Sequence, residues 1–224
     1  MDPTNLLLTH LHLECIGLDL RGRLARIPGP SPDDISRVYV SEQADGIRTF
    51  FREDLREDLV ARLQAIEPAD MYRLPRWVAE ILAEDAPCEE WSECISYVFP
   101  DDLPATPRVR RLAVNDRDEG LLIAAYDPEL LDRPGPVFAI VEDGRIVSSC
   151  SSARENDAAG EAWVRTQLAY RRRGLARQVT AAWAADLARQ GKIAFYSHRS
   201  DNPASAALAR SLGLHAFTHD IGFL

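Results

Sequence analysis

Residues 170–179 read YRRRGLARQV, which gathers Arg171, Arg172, Arg173 and Arg177 around Gly174 in a chain of net charge −9. If a helix opens just after Gly174, its first amides have no intrahelical partners, and the aligned peptide dipoles leave partial positive charge at that end. Gly174 and Ala176 carry little or no side chain, so a phosphate can approach the main chain while the arginines add charge-assisted hydrogen bonds. The bland alternative is a basic helix start with no ligand. The glycine spacing fits neither the GxxxxGK[ST] phosphate loop nor the GxGxxG dinucleotide turn.

The flanking sequence predicts the elements that position this stretch. Leu175, Val179, Ala182, Trp183 and Leu187 mark a helix after it, and IAFYSH (193–198) reads as a buried strand. In DNPASAALARSLGL, Asn202 is placed to cap a short helix, Pro203 to occupy its first position and Gly213 to end it. Upstream, EAWVRTQLA is a strand, VFAIVEDGRIVSSCSSA forms two strands around Glu142-Asp143-Gly144, and VRRLAV is another strand. Asn115 or Asp116 can cap a helix through GLLIAAY. HAFTHDIGFL is expected to close the sheet.

The first half reads differently. SRVYVSEQADGIRTFFRE has two β-rich runs flanking Ala-Asp-Gly, a hairpin pattern in which Asp-Gly supplies positive φ. Leu55, Leu59, Val60, Leu63 and Ile66 recur at helical spacing, and Trp77, Ile81 and Leu82 begin a second apolar stripe; both are expected in the core. The segment PDDLPATPR (100–108) carries three prolines and reads as a linker. We therefore expect a smaller α+β domain over 1–106 and a second domain over 107–224.

The 224 residues include 46% hydrophobic and 27% charged residues, ordinary globular values. The N-terminus lacks the basic and apolar regions of a secretory signal, and no apolar run approaches a membrane span, so a cytoplasmic protein is expected. Cys15, Cys88, Cys94 and Cys150 have no zinc-type spacing, so no metal site is expected and the thiols read as reduced. Residues 1–106 carry 10 arginines against 21 acidic residues, and residues 107–224 carry 16 basic against 14 acidic. That acidity disfavours nucleic acid; it is compatible with a cationic partner, or with solubility alone.

The order of strand, YRRRGLA, helix, IAFYSH strand and N-x-x-S-x-x-L-x-x-x-LG resembles the GCN5-related N-acetyltransferase (GNAT) superfamily, over roughly residues 107–224. The resemblance implies an α/β fold with a mixed, splayed central sheet flanked by helices. Its co-substrate is acetyl-CoA, and its reaction is acetyl transfer to a primary amine of a small molecule or peptide by direct attack. Arg171, Gly174 and Ala176 fill the Q/R-x-x-G-x-A positions, so main-chain amides from Arg172 through Arg173, Gly174, Leu175 and Ala176 to Arg177 are implied to hold the diphosphate. Val164, Arg165 and Thr166 would lie beside the pantetheine arm, with Asn202 and Ser205 of the second motif on its far side. A main-chain amide near Thr166 is the implied oxyanion donor.

Amine attack on a thioester requires a neutral amine, hence a base or a water chain. Glu161, on the strand entering the motif, is the favoured base; Glu155, a water relayed by Ser197 or His198, and a Glu161 that is merely a strand carboxylate are the alternatives. The superfamily often has tyrosine where Ala209 stands here, so its usual general acid is missing. CoA could then leave as thiolate, or Tyr196 could serve, a residue that otherwise reads as core. Cys150 as an acyl-accepting nucleophile lacks a histidine placed beside it, and His215 and His219 lack a third ligand. The competing function is a CoA-binding regulatory module without turnover. A homodimer is compatible with either.

Overall fold

The computed structural model describes residues 3–28, 35–113 and 135–224. The helix expected through GLLIAAY lies outside the described residues. By their contacts the described residues form two compact units: one up to Ser96 with His198–Asn202 and Ala216–Leu224, the other Tyr97–Ser197 with Pro203–His215.

The first unit opens with α1 (Pro3–Leu13), which no sequence signal had marked, followed by the short antiparallel pair β1 (Ile16–Leu18) and β2 (Leu24–Arg26). The hairpin of β3 (Val38–Gln43) and β4 (Gly46–Phe51) forms where expected, but its turn is shifted. Gln43 pairs with Gly46, which leaves Ala44 and Asp45 as the loop and puts Gly46 into the strand at φ 137°. The Asp45 carboxylate instead grips Arg48 at 2.6 Å. The last strand, β11 (His215–Phe223), pairs antiparallel with β3, and β5 (Trp91–Val98) follows it in the strand order.

Helices α2 (Glu57–Gln64), α3 (Pro68–Arg73) and α4 (Pro75–Leu82) supply the other half of this core. Leu59, Leu63, Val78 and Leu82 bury against Val38, Val40, Ile221 and Phe223. Trp77 departs from the expected stripe: it sits in the first turn of α4 and stays 45% exposed, while Val78 takes the inward position.

In the second unit β6 (Arg110–Leu112), β7 (Val137–Glu142), β8 (Arg145–Glu155) and β9 (Ala159–Thr166) pair antiparallel in succession. Asp143 at φ 50° and Gly144 at φ 72° make the two-residue turn between β7 and β8, the backbone that Asp-Gly favours. β10 (Ile193–Arg199) then runs parallel to β9. A parallel neighbour needs a crossover, and α5 (Leu175–Arg189) provides it. Its Leu175, Val179, Trp183 and Leu187 pack on Phe138, Ile140, Val147, Cys150 and Ala162. Tyr97, Phe99, Leu103 and Val109, from and around the proline-rich segment, pack against the same cluster, as does α6 (Pro203–Leu212) through Leu208 and Ala209. The result is a mixed sheet flanked by helices. Among the described residues no helix is long and apolar enough to cross a membrane.

Candidate active site

The two parallel strands of the second unit part company early. β9 and β10 share three register positions, Ile193↔Ala159, Ala194↔Gly160 and Phe195↔Glu161. β8 stays paired with β9 along its other edge as far as Ser148↔Thr166. From Ala162 to Thr166, then, β9 has main-chain groups on its β10 side that this pairing does not use, an edge able to bond an extended chain of amides. Val164, Arg165 and Thr166 all lie on this stretch. The Thr166 hydroxyl bonds Ser148 Oγ at 2.8 Å, and its carbonyl accepts Arg171 Nε at 3.2 Å.

That edge leads directly into the arginine-rich loop. Leu168–Tyr170 form one turn of 3-10 helix, Arg171 is extended, and Arg172 is held at φ 60°, a conformation non-glycine residues rarely adopt. Gly174 follows at φ 71° and ψ 13° as the residue before α5. A Cβ built there would meet nothing within 4 Å among the described residues, so the backbone angle, not crowding, calls for glycine. The first helical bond is Gln178 N–H to the Gly174 carbonyl at 3.4 Å; the amides of Leu175, Ala176 and Arg177 precede it.

The arginines divide by task. Arg173 pairs with Glu142 at 3.3 Å and lies 5.2 Å from the Tyr170 ring centre, and Arg108 reaches the same carboxylate at 2.9 Å. Arg177 Nε donates to the Ser211 carbonyl at 2.9 Å, joining α5 to the end of α6. Arg171 is tied to Thr166 as described. Arg172 has no ion pair or side-chain hydrogen bond among the described residues, so its charge is uncommitted.

Glu161 occupies the point where the strands separate. It is 3% exposed, takes Arg154 Nη1 on Oε2 at 2.7 Å and the Ser197 hydroxyl on Oε1. Glu155 is committed elsewhere, to Lys192 at 2.8 Å and to Ser152 Oγ at 2.5 Å; Ser152 in turn accepts the Trp183 indole at 3.0 Å. His198, buried at 6% exposure, sits with Nδ1 2.8 Å from the Arg199 carbonyl.

Tyr196 is 4% exposed, its ring 6.4 Å from that of Tyr97 and its hydroxyl bonded to Ser205 on α6. Burial pushes this hydroxyl's ionisation upward, with Ser205 acting in the opposite direction. Ala209 lies one turn beyond Ser205 on the same helix face and is 1% exposed. The Cys150 thiol is fully enclosed, and burial pushes its ionisation well up, which leaves it a poor nucleophile. Asn202 is exposed; its main-chain N–H donates to the Arg199 carbonyl at 3.0 Å, directly before α6.

The first unit holds a polar group that sequence reading missed. Asp220, 3% exposed, accepts Thr218 Oγ1 at 2.6 Å, and Thr218 meets Ser41 Oγ at 2.6 Å. Tyr39 and Ser41 also bond the carboxyl, yet burial dominates and raises its pKa. The available signal was the alternation of Thr218 and Asp220 along β11, which puts both on one face. His219, on the other face, lies 3.8 Å from Glu42, 3.6 Å from Glu93 and against the Tyr72 ring.

The family model of the GNAT acetyltransferases matches residues 127–219. A GNAT-family acetyltransferase from Colwellia psychrerythraea superposes with a TM-score of 0.51 at 11% identity, over 98% of this chain and 94% of that one. A GNAT-family protein from Novosphingobium aromaticivorans gives a TM-score of 0.48 at 18% identity, over 61% of this chain; the match spans 65% of that protein's length. No curated protein sequence matches. Residues 127–219 are thus similar to a GNAT acetyltransferase domain.

Proposed function

We propose that the second unit binds acetyl-CoA and transfers its acetyl group to a primary amine of a small molecule or peptide. One observation carries this: the edge of β9 over Ala162–Thr166, beyond its register with β10, leads into the arginine-flanked start of α5 at Gly174. The spacing suits a ligand with an amide-bearing arm at one end and a diphosphate at the other. In this reading main-chain groups of Val164 and Thr166 pair with the arm, Arg165 lies between them with its carbonyl turned to Ser148 on β8, and amides from Arg172 to Arg177 hold the diphosphate with the free Arg172 side chain. Ser205 faces the arm from the second motif.

The amine nitrogen forms a bond to the thioester carbonyl carbon, the oxyanion draws on the Thr166 amide, and the C–S bond then breaks. The amine proton leaves towards Glu161 or water; the sulfur departs as thiolate or takes a proton from Tyr196. The acidity of the first 106 residues favours a cationic acceptor.

Calorimetry with CoA and thiol release with a panel of amines test the proposal. CoA should bind the wild type, Gly174→Glu should abolish that binding, and at least one amine should accelerate thiol release. Absence of heat with CoA sinks it. Ala209, standing where the superfamily often has tyrosine, favours a second reading: a CoA-binding module without turnover, for which CoA binds and no amine releases thiol.

A further inference from the structure

Glu161 and Ser197 meet across the gap that opens between β9 and β10. Backbone pairing ends at Phe195↔Glu161, and two residues further along β10 the Ser197 hydroxyl donates to Glu161 Oε1. The opposite oxygen is taken by Arg154 from β8. Arg154 reaches it because of a β-bulge. The β8–β9 register jumps from Ser152↔Ala162 to Arg154↔Glu161, so Ala153 is the extra residue and Arg154 is turned onto the face that Glu161 occupies. The Glu161 side chain is 4% exposed and that of Arg154 29%. A buried carboxylate bonded on both oxygens is held in one orientation, and losing either partner removes a hydrogen bond from a desolvated charge.

We propose that the Arg154–Glu161–Ser197 chain is a tie that fixes where β9 and β10 diverge and how wide the slot between them opens. This rests on the reading that the edge of β9 beyond its register with β10 receives the pantetheine arm; Ser197 and Arg154 are then positioning residues for that arm. Among the described residues the strands share no register position past Phe195, so the Ser197–Glu161 bond is the first link beyond the last backbone pair. Too narrow a slot excludes the arm, and too wide a slot puts its amides outside hydrogen-bonding distance of β9. The diphosphate is held separately, by the loop from Arg171 to Arg177, and does not depend on the tie.

Two probes separate these ends: CoA, and 3′-phospho-ADP, which carries the diphosphate but no arm. Ser197→Ala should weaken CoA by about three- to tenfold and leave 3′-phospho-ADP unchanged. Ser197→Thr keeps the hydroxyl and should restore CoA affinity. Arg154→Met, which cuts the tie from the other strand, should repeat the Ser197→Ala pattern and serves if that variant fails to fold. Equal weakening of both probes, or CoA affinity within about twofold of wild type in both variants, overturns the proposal. A wild type that binds neither probe overturns the acetyl-CoA reading and the tie with it.

Discussion

Gly160 lies so close to Leu187 that a Cβ at position 160 would sit 2.8 Å from Leu187 Cδ1, with Trp183 at 3.5 Å. This contact seats α5 on β9 one residue before the strands diverge. Leu187 is 2% exposed and enclosed by the core, so it has little room to give. Gly160→Ala should therefore destabilise the protein by about 1–3 kcal/mol, the usual cost of overpacking. Trimming the neighbour with Leu187→Ala should recover part of that cost. A denaturant-melt double-mutant cycle checks this, with additive effects counting against the contact.

Arg172 and Arg177 flank the same helix start with opposite commitments. Arg177 is spent on the Ser211 carbonyl, whereas Arg172 has no partner among the described residues. Arg172→Ala should lower CoA affinity by about tenfold or more, with a steep salt dependence in the wild type that flattens in the variant. Its melting temperature should stay at the wild-type value. Arg177→Ala should do the reverse on stability, since a carbonyl at the end of α6 loses its donor. Calorimetry at two salt concentrations with parallel thermal melts distinguishes the pair.

The arginine-glycine stretch was legible because its chemistry is local: a helix start, small residues and charge within ten positions. The Asp143-Gly144 turn and the stop at Gly213 were legible for the same reason. What escaped depends on partners far apart in sequence. Arg154 meets Glu161 only because the extra residue Ala153 breaks the two-residue period, and periodicity cannot reveal a break whose partner strand is unknown. The Asp220 group joins residues 177 apart, Ser41 and Thr218. Glu155 reads as a reactive carboxylate in sequence, and it is occupied because Lys192, 37 positions away, folds back onto it. α1 was missed although Asn5, Thr9 and His12 recur at helical spacing in it, because Leu6–Leu8 reads as a bare leucine run.

Tyr196→Phe removes one hydroxyl, bonded to Ser205, from a ring enclosed by the core. If that hydroxyl protonates the departing sulfur, amine-dependent thiol release should fall about tenfold to a hundredfold while CoA affinity holds. A thiol-release rate equal to wild type assigns the step to water or to unassisted thiolate departure. Ser205→Ala, which removes the hydroxyl's partner, should give a smaller loss of the same kind.

Asp220 links stability to pH in a direction opposite to that of a salt-bridged carboxylate. Burial raises its pKa in the fold, outweighing the Thr218, Tyr39 and Ser41 hydrogen bonds and the nearby His10. The folded state therefore holds the proton more tightly than the unfolded chain. The resulting stabilisation is complete below the ordinary carboxyl value of 3.8 and is lost as pH rises through the elevated folded value. Asp220→Asn keeps the shape and cannot ionise. The difference in stability between wild type and Asp220→Asn should shift in favour of the variant as pH increases from about 4 towards neutrality. Paired denaturant melts across that range check the sign; a difference that moves towards the wild type would mean that the carboxylate is ionised and stabilising in the fold.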